Sequence, residues 1–233
     1  MIIAIDGTAG SGKSTTAQEV ARRLGFLHLD SGALYRAFGV AAGRHGWASP
    51  AGVVPAERIP ELAAQNVAAE VEAGGAGGAG GVVVVLDGRR LNEELRSPAV
   101  SACASKVSVF PVIRRRVDEI LRRLAADYAG GIVCEGRDMG TVVFPEAELK
   151  VFMQAEPEER AQRRLLQRGE RVTRQRVRAE RRRLVARDAA DSGRDVSPLR
   201  RAEDAMVIDT THLSFEEQVE RVVAAAARLL DTA

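Results

Sequence analysis

The chain has 233 residues, 45% of them hydrophobic and 28% charged, a globular composition long enough for one sizeable core. No apolar run approaches the ~20 residues of a membrane-spanning helix, and no basic stretch leads into an apolar one at the start, so neither a membrane partner nor an export signal is expected. Cys103 and Cys134 form no CxxC pair and read as reduced thiols, while His28, His45 and His212 are scattered and suggest no zinc site; the expected compartment is the cytoplasm. Net charge is only +2, yet twelve arginines lie between Arg160 and Arg187 against Glu170 and Glu180, about +10 locally, which leaves about −8 for the rest. That asymmetry marks an anion-handling segment.

In chain order, Ile2-Ile3-Ala4-Ile5 is a short apolar run of the kind that forms a buried parallel strand. Gly7-Thr8-Ala9-Gly10-Ser11-Gly12-Lys13-Ser14 follows and fits G-x-x-x-x-G-K-[ST], the P-loop pattern, at every fixed position. Thr15 to Leu24 then reads as an amphipathic helix, which completes the strand–loop–helix setting the pattern requires. Gly7, Gly10 and Gly12 let the backbone curl so that several N–H groups face one anion, and the helix adds its positive end. Lys13 brings a point charge to the outer phosphates of a nucleoside triphosphate, and the Ser14 hydroxyl is placed to ligate the accompanying Mg²⁺. Lysine occurs only at Lys13, Lys106 and Lys150, with arginine used elsewhere, so its presence here is informative.

Phe26 to Leu29 is a second strand, Asp30-Ser31-Gly32 a turn or helix cap, and Ala33 to Ala42 a helix. This βαβα opening predicts a three-layer α/β fold. Ala56 to Val71 is compatible with a helix, Ala73 to Gly81 is a low-complexity glycine tract expected as a flexible loop, and Val82 to Leu86 is strand-like before an Asp87-Gly88 hairpin turn. Ser97-Pro98 opens one helix and Pro111 another, to about Tyr128. Gly131 to Cys134, Leu149 to Met153 and Ala205 to Ile208 supply three more strands. Helices start at Glu156-Pro157 and at the capping box Ser214-Phe215-Glu216-Glu217.

Together with the P-loop, Asp30-Ser31-Gly32-Ala33-Leu34-Tyr35-Arg36, Glu135-Gly136-Arg137-Asp138-Met139-Gly140-Thr141-Val142-Val143-Phe144-Pro145 and the Arg187-Asp188…Asp191…Arg194 run make the chain resemble the bacterial cytidylate kinases over nearly its whole length. The resemblance implies a P-loop NTPase fold with a five-stranded parallel sheet, an inserted nucleoside-monophosphate-binding lobe and a helical lid. The implied core is 1–39, 99–155 and 193–233, the lobe 40–98 and the lid 156–192. It implies transfer of the γ-phosphoryl group of ATP to CMP or dCMP, with Mg²⁺, by a monomer.

By the same resemblance Arg36, Arg137 and Arg194 hold the acceptor phosphate, and Ser105, Arg114 and Asp138 read cytosine. Arg187 and Asp191 contact the sugar, and Ser31 lies beside the nucleotide. Arg160 and Arg164 lie near the donor phosphates, where the residues from Gly7 to Thr15 also act. Lys13, Arg137, Arg187 and Arg194 form the implied catalytic set. Glu135 stands where Asp is common in that family, which keeps the charge and lengthens the reach.

Arginine suits such work because its planar fork makes paired hydrogen bonds to phosphate. A carboxylate at Asp138 only accepts hydrogen bonds, so it favours the exocyclic amine of cytosine over the carbonyl of uracil. Kinases acting on UMP, AMP or shikimate are the alternatives within the class. A nucleic-acid partner for the arginine run is disfavoured because the run lacks interleaved aromatics.

Overall fold

The computed structural model describes residues 1–72 and 81–231, and it resolves into two compact units, residues 1–26 with 131–233 and residues 27–130. In the first, β1 (Ile2–Gly7), β6 (Ile132–Glu135), β7 (Leu149–Gln154) and β8 (Met206–Asp209) pair in parallel, β1 between β6 and β7 and β8 outside β7. With β2 (Leu27–Asp30) they make the expected five-stranded sheet, ordered β2-β6-β1-β7-β8. Parallel strands buried on both faces read as apolar runs, and the runs at Ile2, Ile132 and Leu149 supply strands of this sheet.

Helices α1 (Lys13–Leu24) and α8 (Phe215–Leu230) pack together on this core. Val20, Val219, Val222 and Ala226 are buried with Ile3, Ile5, Val133, Val151, Met153 and Ile208. The box predicted for α8 is present in full. The Ser214 hydroxyl accepts from the Glu217 N–H, and the Glu217 carboxylate accepts from the Ser214 N–H at 2.8 Å. The arginine-rich segment is two helices, α6 (Pro157–Gln167) and α7 (Arg174–Ser192). Gly169 (φ 68°) ends the first, and the Thr173 hydroxyl caps the second by accepting from the Arg176 N–H.

The second unit holds β2, α2 (Ser31–Arg44), α3 (Ile59–Ala63), the antiparallel sheet β3 (Val67–Glu72), β4 (Gly81–Leu86) and β5 (Arg89–Leu91), and helices α4 (Pro98–Val107) and α5 (Pro111–Asp127). The Asp87-Gly88 turn has both residues at positive φ, 52° and 75°, as a two-residue hairpin of right-handed twist requires. One reading is corrected. The helix expected over Ala56 to Val71 stops at Ala63, and Val67 to Glu72 pairs instead with Gly81 to Leu86. Alanine's helix propensity there yields to cross-strand pairing with a β-branched partner. Ser97 stands at the N-cap of α4 as expected, but its side chain makes no capping bond. The glycine tract, apart from Gly81, lies outside the described residues.

Candidate active site

The loop between β1 and α1 curls as the pattern predicts, with Gly7, Gly10 and Gly12 at φ 152°, 80° and 91°. A Cβ on Gly7 would stand 2.0 Å from the Met153 carbonyl oxygen, so the loop leaves the sheet against β7 with no room for a side chain. Gly12 is the N-cap of α1 and brings no side-chain acceptor, and the first turn of α1 contains no acid. The helix thus presents a positive end that none of its own residues caps. Thr8 N donates to Met153 O (3.2 Å) and Thr210 Oγ1 to Ser11 O (2.9 Å), which ties the loop to its surroundings at two points, while Ser11 Oγ donates to Thr8 O (3.0 Å) within it. Lys13 is buried, with Nζ 3.4 Å from Thr8 O. Ser14 Oγ donates to Glu135 Oε2 at 2.5 Å. Thr15 Oγ1 turns back to the Gly12 carbonyl at 2.9 Å.

Next to the loop, β6 delivers Glu135 and then Arg137 and Asp138. A single π-helical turn (Met139–Val143) follows, a distortion often found at functional sites. Asp6, the last residue before Gly7, fixes that turn. Its two carboxylate oxygens accept the N–H groups of Met139 and Gly140, each at 2.8 Å. Burial pushes the Asp6 carboxyl up to about 6, against these two hydrogen bonds, and the neighbouring Asp138 adds to the rise.

Asp191 of α7 is the hub of an arginine cluster. Arg137 Nε donates to its Oδ2 at 2.8 Å, and Arg194 donates to its other oxygen. Burial pushes the Asp191 carboxyl up, but the guanidinium charges of Arg137 and Arg194 outweigh it and hold the group below its ordinary value. Arg187 faces the same place. Burial, then Arg137, Arg164 and Arg194, lower its guanidinium to about 10, with Asp191 pulling the other way. Its Nε is buried without a hydrogen-bond partner. Burial likewise lowers Arg164, which Glu180 opposes and Arg168 and Arg137 reinforce. Three guanidiniums around the Asp191 carboxylate, with Arg164 beside them paired to Glu180, leave net positive charge in a partly dry place, which suits an anion.

The predicted residues therefore divide between the two units. Residues Gly7 to Thr15, Arg137, Asp138, Arg160, Arg164, Arg187, Asp191 and Arg194 belong to the first, Ser31, Arg36, Ser105 and Arg114 to the second. In the second, Arg36 is held by Asp30 at 2.6 Å, Ser31 is buried at the start of α2, and Ser105 is half-buried on α4. Arg114 is 2% exposed, donates to the Ser108 carbonyl at 3.1 Å and lies 5.5 Å from the centre of the Tyr35 ring. Its neighbour Arg115 is exposed on α5. Reasoning from the sequence assigned no role to Asp6 or to Asp188. The signal for Asp6 was a lone acid at the end of an apolar strand, directly before the loop.

A parallel α/β sheet whose first strand feeds a phosphate-cradling loop, with an arginine cluster beside it, defines an enzyme of the P-loop phosphotransferase class. Comparison with known proteins narrows the class. Residues 3–228 match the family model for cytidylate kinase. The cytidylate kinase of Salinibacter ruber is 44% identical over 229 residues, 96% of this chain and 95% of the relative. That of Pelotomaculum thermopropionicum is 42% identical over 227 residues, 95% and 94%. The chain belongs to the cytidylate kinase family. Among solved structures, an uncharacterized protein from Eubacterium ventriosum shares the fold (TM-score 0.51, 11% identity, 97% of each chain).

Proposed function

We propose that the protein transfers the γ-phosphoryl group of ATP to CMP or dCMP, giving ADP and CDP or dCDP. The observation that carries this reading is the pairing, within one compact unit, of an uncapped phosphate loop with the Arg137–Asp191–Arg194 cluster. The loop suits a triphosphate, and the cluster suits a second phosphate brought to it. Arg36, Arg137 and Arg194 hold the acceptor phosphate. Arg187 and Asp191 meet the sugar hydroxyls, Ser105, Arg114 and Asp138 read the base, and Ser31 lies beside the nucleotide. Lys13 and Arg164 neutralise the donor phosphates. Residues 40–98 form the acceptor-binding lobe and 156–192 the lid on the 1–39, 99–155 and 193–233 core.

The chemistry asks nothing covalent of the protein. An acceptor oxygen has to stand in line with the γ-phosphorus, negative charge has to be offset, and water has to be kept away. Mg²⁺ is the implied cofactor, and the donor set fits it. The Ser14 hydroxyl and the Glu135 carboxylate lie 2.5 Å apart at the loop, both hard oxygen ligands of the kind Mg²⁺ takes beside phosphate oxygens and water. When bound, the ion would offset phosphate charge. The chain's own residues do the rest. The loop amides and Lys13 fix the donor, and the arginines turn and hold the acceptor. Asp138 accepts from the cytosine amine.

Among the described residues no helix is long and apolar enough to cross a membrane. We infer a cytoplasmic monomer acting on free nucleotides. An ADP-release assay with ATP-Mg²⁺ and CMP, dCMP, UMP, AMP and shikimate tests the reading. Turnover with CMP and dCMP far above the others is expected. No turnover with either by folded protein that binds ATP overturns it.

A further inference from the structure

Ala9, at the tip of the phosphate loop, is held by all three of its groups. Its N–H donates to Asp188 Oδ1 at 2.9 Å. Its carbonyl accepts from Arg160 Nη1 at 2.8 Å. Its methyl is buried with Ala161 and Leu165 of α6 and Val177 and Leu184 of α7. Arg160 and Asp188 also pair with one another, which closes a ring of three hydrogen bonds around the loop tip. Arg160 is 4% exposed, and its Cβ would lie 3.4 Å from a Cβ placed on Gly10. The loop tip is thus part of the core that joins α6 to α7.

Two consequences follow from the chemistry. The Ala9 N–H is committed to a carboxylate, so the anion-facing set of loop amides excludes it. The Arg160 Nη1 is shared between a backbone carbonyl and Asp188 in a dry place, where a donor that leaves its acceptors strands them at a cost. Arg164, one turn on, has the opposite surroundings. Its nearest carboxylate is Glu180 at 3.4 Å, and the charges of Arg137 and Arg168 bear on it.

We propose that Arg160 and Asp188 are positioning residues that set the curvature of the phosphate loop from the α6–α7 pair, and that Arg160 is not a contact to ATP. The role expected for Arg160 from family resemblance passes to Arg164 alone. Any change in the packing of α6 on α7 is then transmitted to the triphosphate site through Ala9. The proposal rests on the phosphotransferase reading above.

The test is a double-mutant cycle in the full chain with Arg160→Ala, Asp188→Ala and both, reading Kd for ATP-Mg²⁺ and for CMP by calorimetry, each nucleotide alone. Each single variant is expected to weaken ATP by at least about tenfold, with the double no weaker than the weaker single. CMP affinity should stay within about twofold, a split that a general loss of structure would not give. Independent, multiplying effects overturn the proposal. So does a loss of ATP affinity with Arg160→Ala while Asp188→Ala binds like wild type, because Arg160 would then be a direct contact.

Amide exchange in the unsubstituted protein keeps the question open to refutation if the variants do not fold. The Ala9 N–H should be protected before nucleotide is added, while neighbouring loop amides gain protection only with ATP. An unprotected Ala9 amide in the nucleotide-free protein sinks the idea. Failure of wild type to turn over ATP with CMP would instead refute the phosphotransferase reading itself.

Discussion

Replacing Asp191 by Asn keeps the shape of the side chain and removes its charge. Asp191 is 2% exposed and accepts from both Arg137 and Arg194, with Arg187 close by. Asn retains one acceptor oxygen but turns an amide donor toward a guanidinium, leaving two hydrogen-bond donors facing each other. Breaking a buried ion pair costs about 3–5 kcal/mol. Arg137 is partly exposed (16%) and recovers some solvation, so the lower end applies, about 3 kcal/mol. For a chain of this length each kcal/mol moves the melting temperature about 2–4 °C, so Asp191→Asn should melt about 6–12 °C below wild type at neutral pH.

The sign with pH follows from the depressed carboxyl of Asp191. Its stabilisation is complete above the ordinary aspartate range and is lost as pH falls through the lower, folded-state value. The gap between variant and wild type should therefore close in acid. Inorganic phosphate should raise the variant's melting temperature more than wild type's, because the arginines gain a substitute anion. Thermal melts by circular dichroism, with and without phosphate, read both effects. A variant that melts within about 1 °C of wild type at neutral pH refutes the hub assignment.

Further outcomes are expected at three other residues. Asp138→Asn should raise UMP turnover relative to CMP by about 10- to 100-fold, the worth of one unpaired buried polar group, and an unchanged ratio in the nucleotide panel contradicts its role. Asp6 rises from 3.8 to about 6 on folding, so the folded state holds a proton the unfolded chain has released, and its contribution to stability falls by about 3 kcal/mol as pH rises through that window. Ionised Asp6 accepts the Met139 and Gly140 N–H groups more strongly than the protonated acid does, so kcat/KM for CMP should fall on the acid side near pH 6, and Asp6→Asn should lower the rate and flatten that limb. Ser214→Ala removes the capping box of α8 and should cost about 1 kcal/mol, or about 2–4 °C in a melt, with KM for both nucleotides unchanged.

Much of this was legible because the informative signals are local. The apolar runs at Ile2, Leu27, Ile132, Leu149 and Met206 each form a strand of the sheet, and the loop pattern, the Asp87-Gly88 turn and the box at Ser214 are fixed by residues within a few positions of one another. What escaped depends on distant partners. Val67 to Glu72 is strand only because Gly81 to Leu86 lies beside it. Asp6 finds Met139 and Gly140 across 133 and 134 residues, and Asp188 finds Ala9 across 179. Asp6 is marked locally only by its place at the end of an apolar strand, and Asp188 only by its place beside Arg187, and neither position names its distant partner. The π-helical turn after Asp138 likewise follows from that long-range tether.

The destination of the γ-phosphoryl group of ATP separates a CMP kinase from a hydrolase most directly. With γ-labelled ATP, Mg²⁺ and CMP, chromatography of the products should find the label in the β-phosphate of CDP, with little inorganic phosphate, as the proposed phosphoryl transfer to CMP requires. Label released chiefly as inorganic phosphate, at a rate indifferent to CMP, would show a hydrolase and contradict the account.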